Sequence, residues 1–490
     1  MFYNRPPSLG RRFVLIGLLT GAMAGSTYAE IGNLPDLGDE STVVSPQQER
    51  KLGGDSIRQA RQFLDFVDDP ALKEYIQSLG NKLVAAGGAQ PQDFHFFIVN
   101  DPTLNAFAVP GGFIVVNTGL ILATQTEAEL AGALAHETAH ITQRHYYRMM
   151  AQSKRISGPA MAAIIASILL AGRQGQAGEA AFALTTAGLA QAQLNFTYAN
   201  EQEADRIGIG ILADAGFDPR AMPSFFERLQ NWGRLNESSL PAFLRTHPIT
   251  ATRISESRDR AERYPRRAFQ DSAEFYHAQA KLRAMGKGSP NDIIAGFKQI
   301  LEEGKSGNAD AQHYGYALAL ARANKFDPAR AEIAGLIQRH PANITYRLGQ
   351  AEIELAAGNY DQALKIYAAA LKARPNYKPL VQRYAATLLE TGHAQQAKDL
   401  LKNLLRTPSD DPALYKMLAT AAGKTGAQVE AHQALAESYY LDGLTSAAIE
   451  QLQIALRFAG DNFYIRSGLE ARIKEIKEEA ARWPTSSATK

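Results

Sequence analysis

The residues with the clearest capacity for chemistry are His136-Glu137-Thr138-Ala139-His140. Along an α-helix, four residues advance about 400° and about 6 Å, so two histidines at this spacing project from one face toward one point. Two imidazoles so placed can bind zinc, and Glu137 beside them is placed to take a proton from an attacking water. The bland reading is a pair of exposed histidines on a surface helix. Chance competes weakly with the chemical one, since about 0.01 such strings are expected in a chain of this length and composition.

Zinc requires a third protein ligand and an open position. His145 is nearest, but it lies five residues past His140 and on a continuous helix points well away. Gln143 and Tyr146 stand where a metzincin would carry glycine and histidine. A better source is Glu201-Gln202-Glu203-Ala204-Asp205, near the start of a second helix. Glu201 and Asp205 share a helix face. Glu201 could complete the metal site while Asp205 accepts the second N–H of a ligand histidine. Glu203, about 200° away around the helix, is the rival ligand. An acidic first turn favoured by the helix dipole is the alternative without a metal.

These residues need elements to hold them. From Ser45 to about Ala86 the apolar spacing is helical, and then the period changes. Phe94 to Val99, Phe107 to Val109 and Phe113 to Val116 read as three short strands, with Gly111-Gly112 as a hairpin turn. Thr126 and Glu129 have capping-box spacing, so the histidine helix is expected to start there and run to about Tyr147. Gly216 ends a later helix, and Asp218-Pro219 opens the next. In the last third, Ala295, Ala329, Ala363, Ala397 and Ala431 recur every 34 residues, with Pro341 and Pro375 also 34 apart. A small residue at that period is the tetratricopeptide pattern of stacked helix pairs, against which stands a generic alanine-rich bundle. Ala448, Leu452 and Ala455 fall half a repeat out of phase, as if one helix served two successive pairs before a capping helix.

Composition narrows the function classes. A 490-residue chain with 45% hydrophobic residues is expected to form more than one domain. The net charge of +2 carries no electrostatic footprint for nucleic acid. With no cysteine, any metal must be held by histidine and carboxylate. Arg5, Arg11 and Arg12, the apolar stretch Phe13 to Ala24, and Thr27 and Ala29 predict an export signal over residues 1–29, cleaved after Ala29. An uncleaved anchor is the alternative. Residues 159–171 are apolar but too short to span a bilayer. They read as a core or lid helix, or as a point of peripheral contact with a membrane surface. The basic cluster Arg144, Arg148, Lys154 and Arg155 reads as a solvated face.

The string from His136 through Arg144-His145, then Glu201-x-Glu-Ala-Asp205, then His247-Pro248 with Arg253, resembles the M48 family of gluzincin metallopeptidases. Asn105 to Ile114 is similar to that family's strand and hairpin before the zinc helix, and the resemblance spans about residues 45–265. It implies one zinc ion per chain, with His136, His140 and Glu201 as ligands and Glu137 as general base. It also implies a loop carrying His247 over the metal, where that histidine plugs the open position. A hydrogen bond from His247 to the oxyanion of the tetrahedral intermediate is the other role.

The expected fold is therefore mainly α with a small β-sheet. Residues 30–270 would form a gluzincin-type metallopeptidase domain and residues 271–490 an α-solenoid of tetratricopeptide repeats. A substrate would lie extended along the exposed strand near Phe107 to Val109. For an M48 peptidase with an export signal and appended repeats, the resemblance implies a periplasmic location. It further implies misfolded or stalled outer-membrane proteins as substrates, and the β-barrel assembly machinery as partner of the repeats. Two other classes stay open: a non-proteolytic chaperone or adaptor with its zinc site latched, and a scaffold in which zinc is structural.

Overall fold

The computed structural model describes residues 46–152, 198–235, 242–266, 268–304 and 307–482. The expected export signal and the apolar run 159–171 lie outside the described residues.

The chain opens with α1 (Pro46–Ala60) and α2 (Pro70–Ala86). Asp69 caps α2, its carboxylate accepting from the Ala71 and Leu72 amides at 3.0 Å each, and Pro70 takes the first helical position. Leu72, Ile76, Leu79 and Leu83 line the buried face of α2 against a three-stranded sheet. Its strands are β1 (His95–Val99), β2 (Ala106–Val109) and β3 (Phe113–Asn117), in the order β1-β3-β2. β3 is parallel to β1 and antiparallel to β2, and all five of its residues are buried. The β2–β3 turn has Gly111 and Gly112 at φ 86° and 96°. A Cβ on Gly112 would fall 1.9 Å from the Asp93 carbonyl oxygen, so only glycine fits there.

After α3 (Thr118–Ala123), α4 (Glu127–Thr142) carries the histidine pair. Thr126 caps it by accepting from the Glu129 amide at 3.2 Å. Glu129 reaches back one residue further than a capping box requires, to the Gln125 amide at 2.6 Å. The helix does not continue to Tyr147 as expected. Arg144 adopts the left-handed conformation at φ 53°, and a separate helix, α5 (His145–Gln152), starts beyond it. Next come α6 (Tyr198–Asp214), α7 (Ala221–Leu235), α8 (Ala242–Thr246) and α9 (Ala251–Ala261). Gly216, at φ 78°, ends α6 with its amide on the Ala213 carbonyl. Where α6 crosses α4, a Cβ at Gly208 would lie 3.2 Å from the His136 backbone nitrogen. That glycine brings the carboxylate helix down onto the histidine helix.

The remaining described helices are α10 (Ala273–Ala284), α11 (Pro290–Glu303), α12 (Ala309–Arg322), α13 (Phe326–Arg339), α14 (Ile344–Ala356), α15 (Tyr360–Ala373), α16 (Lys378–Glu390), α17 (Ala394–Leu404), α18 (Pro412–Lys424), α19 (Gln428–Leu441), α20 (Thr445–Phe458) and α21 (Phe463–Arg482). α13, α15, α17 and α19 start 34 residues apart. The same period governs the turns, where Asn324, Gly358, Gly392 and Gly426 all have positive φ. Ala329, Ala363 and Ala397 are fully buried at helix crossings. Ala295 breaks the expected series: it is exposed, and Phe297 is the buried residue of α11, lying where a Cβ on Gly315 would clash. Gly443 (φ 75°) and α20 follow Gly426 and α19 at half the period, and α21 packs on α20, matching the half-repeat reading. The protein is thus mainly helical with one small sheet, a unit that carries the histidine helix followed by a repeat solenoid.

The repeats pack against the N-terminal portion through apolar side chains of α10, Phe275, Ala278 and Leu282, and through polar and charged contacts. Asp69, the cap of α2, lies 2.9 Å from Lys281 of α10 and 2.6 Å from Arg383 of α16. Lys281 also pairs with Glu352 at 2.9 Å. Further along, Lys73 meets Asp411 at 2.8 Å, Gln62 donates to the Gly443 carbonyl at 2.9 Å, and Lys51 pairs with Glu479 at 2.9 Å. Among the described residues, no helix is long and apolar enough to cross a membrane.

Candidate active site

Three elements converge on one buried point. α4 presents His136 and His140, α6 presents Glu201 from its first turn, and His247 follows the end of α8. Each of the four offers a ligand atom within 4.8 Å of the others, and all four are buried. His136 Nε2 lies 3.0 Å from His140 Nε2, 3.4 Å from Glu201 Oε2 and 3.4 Å from His247 Nδ1. Glu201 Oε1 lies 3.4 Å from His140 Nε2 and 3.0 Å from His247 Nδ1. A tetrahedral ion with bonds of about 2.0–2.1 Å has ligand–ligand edges of about 3.3–3.4 Å. The four side chains therefore meet in a form that fits a divalent metal. Imidazole nitrogens turned toward one another in a dry interior also want a cation between them.

The charges around this point favour a cation. Burial opposes charge on His136, but the Asp205 and Glu201 carboxylates outweigh it and push the imidazole up to about 10. Burial raises the Glu201 carboxyl, yet His247 and His136 hold it well below the ordinary range. A site that binds a proton this tightly presents the same negative field to a metal ion.

Behind the four lies a second ring of side chains. Asp205 Oδ1 lies 3.0 Å from His136 Nδ1, close but out of line for a well-formed hydrogen bond. Arg253, fully buried, donates to Asp205 from Nε and Nη2 at 2.8 Å each. Its Nη1 lies 2.9 Å from Glu201 Oε2 and donates to the Pro248 carbonyl at 2.8 Å. One guanidinium thus ties α6 to the His247 loop. On the other side, His145 Nδ1 lies 2.9 Å from His140 Nδ1, and Glu203 Oε2 lies 3.3 Å from His145 Nε2. Glu203 faces His145 rather than the metal point. The basic cluster read as a solvated face is engaged where it is described: Arg144 pairs with Glu49, and Arg148 with Glu203 at 2.5 Å.

Glu137 projects toward the sheet. Its Oε2 accepts the Ala108 amide at 2.8 Å, and its Oε1 lies 3.5 Å from His247 Nε2. Burial raises its carboxyl, partly offset by His247 and His136. β2 is an edge strand in the sheet order, yet all four of its residues are buried. Tyr146 donates to the Ala108 carbonyl at 2.7 Å. The strand expected to be exposed for substrate is therefore covered at Ala108 by Glu137 and Tyr146.

Sequence reasoning singled out His136, Glu137, His140, Glu201, Asp205 and His247, and the structure brings all six within one cluster. Helical spacing gives Arg253 no role and points His145 away from the site, because a continuous helix would carry that ring to another face. The spacing His247-Pro248 to Arg253 was the only signal for the arginine. Nothing in the sequence announces a left-handed arginine at position 144.

A model of peptidase family M48 matches residues 70–261, and a tetratricopeptide repeat model matches residues 354–422. Over 470 residues, 95% of each chain, the protein is 34% identical to the beta-barrel assembly-enhancing protease of Escherichia coli (strain K12). It is 33% identical to the protein of that name from Yersinia pestis over 446 residues, 91% of each chain. The mitochondrial metalloendopeptidase OMA1 of Schizosaccharomyces pombe is 32% identical over 181 residues, 37% of this chain and 50% of that protein. Fold, buried ligand set and these matches define a metallopeptidase. The chain belongs to peptidase family M48, alongside the beta-barrel assembly-enhancing proteases that it matches over nearly their whole length.

Proposed function

We propose that the chain is a zinc endopeptidase of the periplasm that cleaves misfolded or stalled outer-membrane β-barrel proteins and assists their assembly. The observation that carries the reading is the buried, closely spaced set His136, His140, Glu201 and His247 with the Glu137 carboxylate against it. His136, His140 and Glu201 hold one zinc ion per chain, and Asp205 orients His136. When bound, zinc supplies Lewis-acid polarisation of the scissile carbonyl and lowers the pKa of the attacking water.

The protein's own residues do the rest. Glu137 takes a proton from the attacking water and returns it to the leaving amine. Its raised carboxyl pKa suits both transfers. His247 fills the fourth vertex and acts as a plug, so substrate enters only after that side chain withdraws. The Ala108 amide and carbonyl must likewise part from Glu137 and Tyr146 before a peptide can pair along β2. Backbone pairing reads little sequence, so selectivity falls to the state of the client and to delivery by the repeats, which we assign to the β-barrel assembly machinery. The peptidase portion spans 30–270 and the repeats 271–490.

The test compares zinc content and casein cleavage in wild type, Glu137→Gln and His247→Ala. The expected outcome is one zinc per chain in wild type, cleavage lost by at least about 100-fold in Glu137→Gln with metal retained, and cleavage raised in His247→Ala. Unchanged or reduced cleavage in His247→Ala would reject the plug. The covered strand and the filled vertex also favour a second reading, a chaperone or adaptor with its site kept shut. Metal bound without cleavage in any variant, with envelope function intact in Glu137→Gln, would select it.

A further inference from the structure

His145 and Glu203 have no place in the mechanism above, yet they form a continuous path to one metal-facing ring. His140 turns its Nε2 toward His136 and Glu201. A neutral imidazole whose Nε2 lone pair faces a metal carries its proton on Nδ1. That Nδ1 lies 2.9 Å from His145 Nδ1, which must then accept, leaving the His145 proton on Nε2. His145 Nε2 in turn lies 3.3 Å from Glu203 Oε2, an acceptor held in place by Arg148 at 2.5 Å. Each link has one donor and one acceptor, and each hydrogen follows from the one before it.

We infer that His145 is a positioning residue for the metal site, fixing the tautomer and ring plane of His140 through a Glu203–His145–His140 hydrogen-bond chain. This inference rests on the metallopeptidase reading and adds to it. The two ligand histidines then differ in what stands behind them: His136 has a carboxylate 3.0 Å from its Nδ1, whereas His140 has a carboxylate acting through a second imidazole.

The helix break is what makes the chain possible. Arg144 sits at φ 53° with its amide on the Ile141 carbonyl at 2.9 Å. A left-handed non-glycine residue costs about 1 kcal/mol. Here it breaks the helix, and the next side chain lies 2.9 Å from the His140 ring instead of pointing away from it. His145 is completely buried as a result.

The test uses the full chain and zinc itself. Apparent zinc dissociation constants are measured by competition with a chromophoric chelator for wild type, His145→Phe, His145→Gln and Glu203→Ala, and visible spectra are recorded for the cobalt-substituted forms. Glu203 lies on the half-exposed outer side of the chain and can be truncated without opening the core. The expected result is 10- to 100-fold weaker zinc binding in His145→Phe, a smaller loss in Glu203→Ala, and partial rescue in His145→Gln, whose amide oxygen can accept from His140. The cobalt bands should shift in His145→Phe and return toward wild type in His145→Gln. Equal affinities and unshifted spectra, with zinc bound by wild type, would overturn the proposal and leave the metallopeptidase reading standing. No zinc bound by wild type would overturn both.

Discussion

Arg253 shows how much of the site rests on one side chain outside the ligand set. It is buried and spans two carboxylates, Asp205 through a bidentate pair and Glu201 through Nη1. Removing it would leave both acids in the interior without their cation, which costs about 3–5 kcal/mol. Arg253→Ala should therefore lose stability on that scale in chemical denaturation of the metal-free protein, and zinc should recover part of the loss by supplying positive charge. Arg253→Lys keeps the charge but not the fork and should fall between. An alanine variant within about 1 kcal/mol of wild type would sink the argument. At this scale, the sequence made the four strongest residues legible because the chemistry demands fixed types at fixed spacing. Arg253 and His145 were less legible, since each acts through contacts between elements that spacing alone does not specify.

At the scale of elements, the decisive contact is that of α6 on α4. Gly208 places backbone on backbone: an added Cβ would meet His136 N at 3.2 Å, Ala135 C at 3.3 Å and Met222 Cε at 3.0 Å. The methionine can yield and the helix backbone cannot. Gly208→Ala should cost about 1–3 kcal/mol, and Gly208→Val more, by forcing the helices apart. Because Glu201 and Asp205 ride on α6, zinc affinity should fall in step with stability. Retained affinity in a destabilised Gly208→Val protein would show that the carboxylates are positioned independently of the crossing. Strands, the hairpin glycines and the helix cap at Thr126 were all readable from local chemistry. The end of α4 was not: the run after Thr142 has good helix formers, and Arg144 adopts φ 53° in a setting that local propensity does not report.

Across the whole molecule, the repeats were visible as a period before they were visible as a structure. Ala329, Ala363 and Ala397 recur because a small residue is needed at each crossing, whereas Ala295 shares the spacing without the packing. What the period could not reveal is where the solenoid meets the peptidase portion: the apolar contacts of Phe275, Ala278 and Leu282 lie ahead of the recurring alanines, and the polar contacts are single side chains. Within the repeats themselves, one contact is sensitive to pH. His277 of α10 is buried with Nε2 3.0 Å from the Tyr346 hydroxyl, and burial pulls its pKa down to about 4. The unfolded chain has an ordinary histidine near 6.5, so between these values the unfolded state binds a proton that the folded state refuses. Stability is full above about pH 6.5 and declines as pH falls toward about 4, by up to about 3 kcal/mol. His277→Gln should flatten this part of the profile, checked by denaturation midpoints at pH 7 and pH 5. An equal slope in the variant would assign the acid sensitivity elsewhere.

The row of polar and charged contacts between the two portions also fixes a count. In a solenoid whose far end hangs free, whole units can be gained or lost and each remaining unit keeps its neighbours. Here the array is pinned along its length: Arg383 on Asp69, Asp411 on Lys73, Gly443 under Gln62, Glu479 on Lys51. Excising one 34-residue unit would move every later partner one step along a surface that does not repeat. The peptidase portion serves as a ruler laid beside the repeats, and it reads only one number of them.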